Sequence, residues 1–177
     1  MHTRERQRDQ LVMTGLAEFP TPETGWLLQQ GAVEPARPPY VILVPGAARH
    51  RPTKRWPAER YAELARHLRR LSLTPIVVGD RVERDIAAAI PEALDLTGGT
   101  TLFDLALLAR NAAFAVGNDT GPMHVAATVG CRCIVLFSAE SDPALTAPRG
   151  PDGEWPAILR RPDLRDLTLE EVVAALP

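Results

Sequence analysis

Lys54 is the only lysine in a chain that carries nineteen arginines. An arginine fork suits planar partners, whereas a lysine ammonium is a compact point charge. This lysine sits in a cationic stretch, Arg49, His50, Arg51, Lys54 and Arg55, followed by Trp56-Pro57. Cations gathered in one loop can neutralise a diphosphate. A solvated basic loop is the plainer reading of the same residues, and Trp56 reads as a packing anchor for the next helical segment. Further along, Asn118-Asp119-Thr120-Gly121 runs straight into a helical pattern with Pro122 at its start and His124 one turn in. A helix start offers N–H groups and the positive end of the dipole, enough to hold a phosphate. Gly121 permits close approach of a ligand to the backbone, and Thr120 adds a hydroxyl. His124 is spaced to face the same pocket. Asp119 and Thr120 would serve equally as ordinary helix caps. Asp80 and Glu83 offer carboxylates that could accept the hydroxyls of a ribose, or that merely suit a helix dipole. Gly98-Gly99-Thr100-Thr101 could let a nucleotide reach the backbone, or could be a turn and a cap.

The elements that must position these groups alternate. YVILVPGA (40–47) is a continuous apolar run, as expected of a strand buried on both faces. Residues 57–71 repeat apolar side chains at helical spacing, with Pro57 suited to a first turn. TPIVVG (74–79) predicts a second strand and 81–90 a helix. ALDLTG (93–98) predicts a weaker third strand. Residues 101–112 predict a helix capped by Thr101, with Asp104 in a capping-box arrangement. FAVGND (114–119) predicts a fourth strand, 121–130 a short helix and CRCIVLFS (131–138) a fifth strand. A proline-rich stretch comes next, and 168–176 predicts a closing amphipathic helix. This alternation implies an α/β fold, a Rossmann-like, doubly wound parallel sheet over residues 40–177. In such a fold ligands bind outside the carboxyl ends of the strands, where these loops lie. Residues 1–39 read as a leader or linker, with a short helix around Arg6–Leu16.

Composition narrows the remaining classes. The 177 residues suffice for one sizeable core and are too few for two ordinary domains. A formal charge of −2 argues against a basic nucleic-acid binder. No apolar run approaches the roughly 18 residues of a membrane helix, and the amino terminus does not read as a secretory signal. Cys131 and Cys133 are too few for a disulfide scaffold, which makes a reducing cytosol the default compartment. With no second ligand pair, and with both sulfurs on one strand face, they argue against zinc. Neither GxGxxG, a P-loop nor a GxSxG elbow is present.

PGAARHRPTKRWPAERYAELA, VVGDRVERDI, LTGGTTLFDLALLARNA and VGNDTGPMHVAATVG, in that order over about residues 40–140, resemble the carboxyl-terminal half of bacterial heptosyltransferases, glycosyltransferase family 9. The K-x-W-P and D-T-G-P-x-H signals together are specific. The resemblance implies the carboxyl-terminal domain of a GT-B glycosyltransferase, which binds a nucleotide-sugar donor, here ADP-heptose. It implies transfer to the lipopolysaccharide core. Donor-binding roles would fall on Lys54 (phosphate), Glu83 (nucleotide), Thr100, Asp119, Thr120, Gly121 and His124. No metal and no cofactor beyond the donor are implied, because cations and a helix terminus would stabilise the leaving diphosphate. Gly99 stands where members often carry Lys, and Ala48 where many carry Ser, so donor affinity or identity could differ. The family's acceptor site and expected base lie in an amino-terminal domain that 39 residues cannot form. The chain therefore reads as a donor half, with a separate acceptor-domain chain as one possible complement. A non-catalytic nucleotide-binding module and an inactive fragment are the alternatives. A cytosolic chain meeting the inner membrane face only peripherally is the expected location.

Overall fold

Strand β1 (Tyr40–Val44) is buried at every residue. Its alternate side chains enter two different cores. Ile42 and Val44 join one with Ile76, Val78, Ala115, Val135 and Phe137. Val41 and Leu43 join the other with Val77, Val116, Ile134 and Leu136. A strand that must bury both faces has no polar positions to alternate with, which explains the unbroken apolar runs.

In the computed structural model, which describes residues 1–16, 18–19, 23–32, 39–47 and 51–177, these strands form one sheet. The strands are β1, β2 (Thr74–Val77), β3 (Leu94–Asp95), β4 (Phe114–Asn118), β5 (Cys133–Phe137) and β6 (Ala157–Arg160). Their order is β3-β2-β1-β4-β5-β6, and every pairing is parallel. The chain thus winds outward in both directions from the boundary between β1 and β4, the switch point of a doubly wound fold.

Helices cover both faces. On one lie α2 (Ala58–Arg70), α3 (Arg84–Ala88) and α7 (Leu169–Ala174), which bury Tyr61, Leu64, Leu68, Ala87 and Val172. On the other lie α4 (Leu102–Asn111) and α5 (Gly121–Thr128), which bury Leu105, Leu108, Met123 and Ala126. Thr101 caps α4 in a capping box with Asp104, as its sequence predicts. Gly117 in β4 lets α5 lie close, since a Cβ there would sit 2.6 Å from the Val44 Cβ and 2.7 Å from the Met123 sulfur.

Three features differ from the sequence reading. The proline-rich stretch after Ser138 contains β6, a sixth parallel strand, and the short helix α6 (Pro143–Thr146). β6 leaves little trace in the sequence because it is a half-exposed edge strand of four residues between prolines, with no apolar run to mark it. The helix expected near Arg6–Leu16 is α1 (Thr3–Met13), which starts earlier because His2 caps it. The weak third strand shortens to two exposed residues.

The described part of residues 1–39 packs onto the sheet domain. Leu27 is buried in the core, and the Ala32 N–H donates to Asp104 Oδ1 at 2.8 Å. His2 contacts the Ala147 carbonyl at 3.0 Å.

Candidate functional site

Asn118 closes β4, fully buried, and its amide ties together the loops on either side of the switch point. Its Nδ2 donates to the Pro45 carbonyl at 2.7 Å. Its Oδ1 accepts from the Trp56 N–H at 3.1 Å and from the Tyr61 hydroxyl at 3.2 Å. Burial pushes the Tyr61 phenol far above its ordinary pKa, so it stays a neutral donor. Trp56 is an anchor: it is 1% exposed, meets Tyr61 edge to face at 4.8 Å and donates from Nε1 to the Leu167 carbonyl at 2.8 Å. The basic loop after β1 is thus pinned against the end of β4, and Lys54 comes with it.

Lys54 Nζ lies 2.7 Å from Asp119 Oδ2, with both side chains about nine-tenths buried. The same carboxylate oxygen accepts from the Ser141 hydroxyl at 2.7 Å. Thr53 donates to Glu140, and the Arg51 guanidinium lies 3.7 Å from Glu140. Loops after β1, β4 and β5 therefore converge on Asp119. A buried pair of this kind forgoes much hydration energy and is held by its further hydrogen bonds.

The plain capping alternative fails here. Asp119 spends its carboxylate on Lys54 and Ser141. Thr120 stands at the N-cap of α5 but makes no side-chain capping bond. Gly121 opens the helix, and a Cβ on it would meet nothing within 4 Å. Among the described residues no packing demand explains this glycine.

Glu83 lies over the ends of β1 and β2. A Cβ on Gly46 or on Gly79 would collide with its carboxylate. Its Oε2 accepts the Asp80 N–H at 2.9 Å in a capping box. Glu83 is therefore a capping residue as well as an acid at the strand ends. Asp80 is engaged with the Arg81 N–H. Thr100 is half-buried, after Gly98, whose φ of +66° turns the chain.

His124 borders a cavity of about 500 Å³ with His2, Thr24, Thr128, Thr146 and Arg149. Desolvation lowers its pKa below 6.5, with Asp119 pulling upward and His2 and Lys54 pushing further down. It is neutral at pH 7.

The structure joins Lys54 to Asp119 directly and puts Thr120, Gly121 and His124 on the element that comes next in the chain. Glu83 sits at the neighbouring strand ends. Arg49, His50 and Ala48 lie outside the described residues. Sequence reasoning missed Asn118, Tyr61 and Ser141 as the groups that hold the pair. Asn118 alone left a signal, an amide ending a buried apolar strand. Among the described residues, no group of three or more His, Cys, Asp or Glu is placed to hold a metal ion, and no helix is long and apolar enough to cross a membrane.

Comparison with known proteins matches residues 11–155 to the family described as glycosyltransferase family 9 (heptosyltransferase). A lipooligosaccharide heptosyltransferase 2 of Haemophilus influenzae is 35% identical over 119 residues, 62% of this chain and 34% of that protein. An Escherichia coli lipopolysaccharide heptosyltransferase 2 is 33% identical over the same shares. The aligned part is thus about a third of these curated relatives. Among solved structures, E. coli ADP-heptose lps heptosyltransferase II is 25% identical with a TM-score of 0.68, covering 89% of this chain and 54% of that one. E. coli heptosyltransferase WaaC with ADP-2-deoxy-2-fluoro heptose has a TM-score of 0.73 at 21% identity, covering 98% and 55%. The likeness to WaaC is one of fold.

Proposed function

The chain belongs to glycosyltransferase family 9, and from that premise we propose that it is the donor-binding half of an inverting glycosyltransferase that takes ADP-heptose and serves transfer to the lipopolysaccharide core. The observation that carries this is the buried Lys54–Asp119 pair beside the start of α5, where no described residue comes within 4 Å of a Cβ placed on Gly121. An ammonium at the switch point and a helix N-terminus both favour a diphosphate. As the glycosidic bond breaks, negative charge grows on the leaving diphosphate. Lys54 and the helix start would stabilise that charge in place, which is why no metal or further cofactor is assigned. Thr120 would add a hydroxyl donor. Glu83 and Thr100, beside the glycine turns, would receive the nucleoside. Neutral His124 would meet the donor sugar or diphosphate from the side of α5.

The acceptor hydroxyl must lose its proton to a base, and that base is assigned to an acceptor domain, in a longer protein or in a separate chain. The names of relatives include ADP-heptose and a lipopolysaccharide heptosyltransferase, which supports the donor and the acceptor class. A cytoplasmic location, peripheral to the inner membrane face, belongs to the same proposal.

Thermal unfolding with ADP, UDP or GDP tests the reading. Ligand at about 100 times its Kd adds about 2.7 kcal/mol, a rise of roughly 5–10 °C at this size. A rise with ADP supports an ADP-sugar donor. A rise with UDP or GDP instead keeps the domain's role and changes the donor. No shift with any of them in a cooperatively folded sample overturns the assignment for this chain.

A further inference from the structure

The cavity of about 500 Å³ beside His124 holds charges that donor binding does not use. One wall is the start of α1, and that wall is fastened. His2 Nδ1 accepts the Arg4 N–H at 3.2 Å, so its Nε2 donates to the Ala147 carbonyl at 3.0 Å. The Thr3 hydroxyl donates to the Leu145 carbonyl at 2.9 Å. These bonds use both nitrogens of His2 and bring Arg4 to the cavity. Arg149 joins it from the loop after α6, its guanidinium 3.1 Å from the centre of the Trp155 ring. Arg149 Nη1 reaches the Gly153 carbonyl at 3.4 Å, and Nε is buried without a hydrogen-bond partner among the described residues. Neither Arg4 nor Arg149 forms an ion pair among the described residues. Desolvation lowers the pKa of Arg149, with Glu5 pulling it up and Arg4 pushing it further down. Glu5 accepts the His2 N–H at 3.2 Å and stands outside the lining of this cavity. Among the described lining residues there is no Asp or Glu. Thr128, four residues after His124 and on the same side of α5, adds a hydroxyl.

We propose that this cavity is a subsite for an acidic sugar, one that carries a phosphate monoester or a carboxylate, with the anionic group held by Arg4 and Arg149. Two unpaired guanidiniums at a cavity without a carboxylate repel one another, and an oxyanion between them relieves that repulsion. Each guanidinium edge presents parallel N–H donors that match two oxygens of one anionic group. Stacking on Trp155 fixes Arg149 in advance, so less side-chain freedom is lost on binding. The hydroxyl of Thr128 and the neutral ring of His124 suit the hydroxyls of a sugar. The volume falls in the range of small-molecule sites, about 300–1,000 Å³. The proposal rests on the reading above: His124 borders this cavity and lies one turn from Thr120 at the donor end of α5, so a sugar here is a neighbour of the donor. The substrate this placement fits is an acidic saccharide acceptor. Arg4 then gives the residues before β1 a part in binding.

The test uses the intact chain saturated with ADP, so that the diphosphate site is filled. Glucose 6-phosphate, glucuronate, methyl glucoside and inorganic phosphate are titrated separately. Binding is read from the Trp155 indole N–H signal in a proton–nitrogen correlation spectrum. The expected result is saturable binding of one or both acids, with methyl glucoside and inorganic phosphate weaker by roughly tenfold or more. Which acid binds separates a phosphate from a carboxylate as the recognised group. Arg149→Gln should weaken that binding by roughly tenfold, as for a lost hydrogen bond to a charged group, while ADP binds as before. Should that variant fail to fold, Arg4→Gln carries the same expectation. If ADP itself does not bind, the donor reading fails, and the same titration without ADP still decides this cavity. No binding of either acid, methyl glucoside as tight as the acids, inorganic phosphate as tight (an adventitious ion only), or full affinity in the folded variant would each overturn the proposal.

Discussion

At the scale of single residues, the site rests on one ammonium shared between two duties. Lys54 holds Asp119 at 2.7 Å now and would hold a diphosphate in the complex. Lys54→Ala should weaken ADP binding by roughly 1.5–3 kcal/mol, the range for hydrogen bonds to charged groups. Removing one member of a buried pair also costs about 3–5 kcal/mol of stability. The paired change Lys54→Met with Asp119→Leu leaves no charge stranded and should stay folded while losing ADP. Calorimetric titration beside a melting curve checks both, and full ADP affinity in the folded double variant would remove the pair from the site. Gly121→Ala isolates the helix start. It meets no neighbour, so its melting temperature should hold while ADP affinity drops by about tenfold, or about 1.4 kcal/mol.

His124 predicts a pH dependence. Its folded pKa lies below the 6.5 of the unfolded chain, so near that pH the unfolded state binds more protons. Stability should therefore be fully present above pH 6.5 and fall as the pH drops through and below it. Melting temperatures across that range should show a shallower fall in His124→Gln. Equal slopes would mean His124 feels no such desolvation.

At the scale of elements, the two helices on one face start differently, and the difference assigns their work. Thr101 and Asp104 close the start of α4 with a reciprocal capping box, which makes it a structural end. The start of α5 is left without a side-chain cap, which makes it available. Thr101→Ala should cost about 1 kcal/mol, or about 2–4 °C at this chain length. Asp104→Ala should cost more, since Asp104 also receives the Ala32 N–H. Denaturant melts of the two variants decide the order, and equal losses would mean that the bond to Ala32 contributes nothing. The local rules of capping were readable at Thr101 because both partners sit within three residues. At Asp119 the same rules left capping and ligand binding both open, because its partners, Lys54 and Ser141, are distant in sequence.

At the scale of the molecule, the sheet collects three loops at one edge and leaves the two cysteines at the other. The described residues before β1 are part of this body. Leu27→Ala should destabilise the chain by about 2–4 kcal/mol, as for other leucines removed from a core. A melting curve within error of wild type would mean that this stretch docks without supporting the fold.

The amino-acid sequence by itself determined the alternation of strands and helices, the parallel sheet and the family likeness. Those arise from periodicity and from local motifs, which depend on neighbours along the chain. β6 was not legible, because a four-residue edge strand buries too little to leave a pattern. The site residues could be nominated from loop positions at strand ends, but their partnership could not. Only the tertiary structure decided that Asp119 faces Lys54 rather than its own helix, that Glu83 also closes a turn, and that Asn118 and Tyr61 hold the loop in place. Each of these depends on side chains meeting across the switch point, where the order β2-β1-β4-β5 brings distant segments within hydrogen-bonding range.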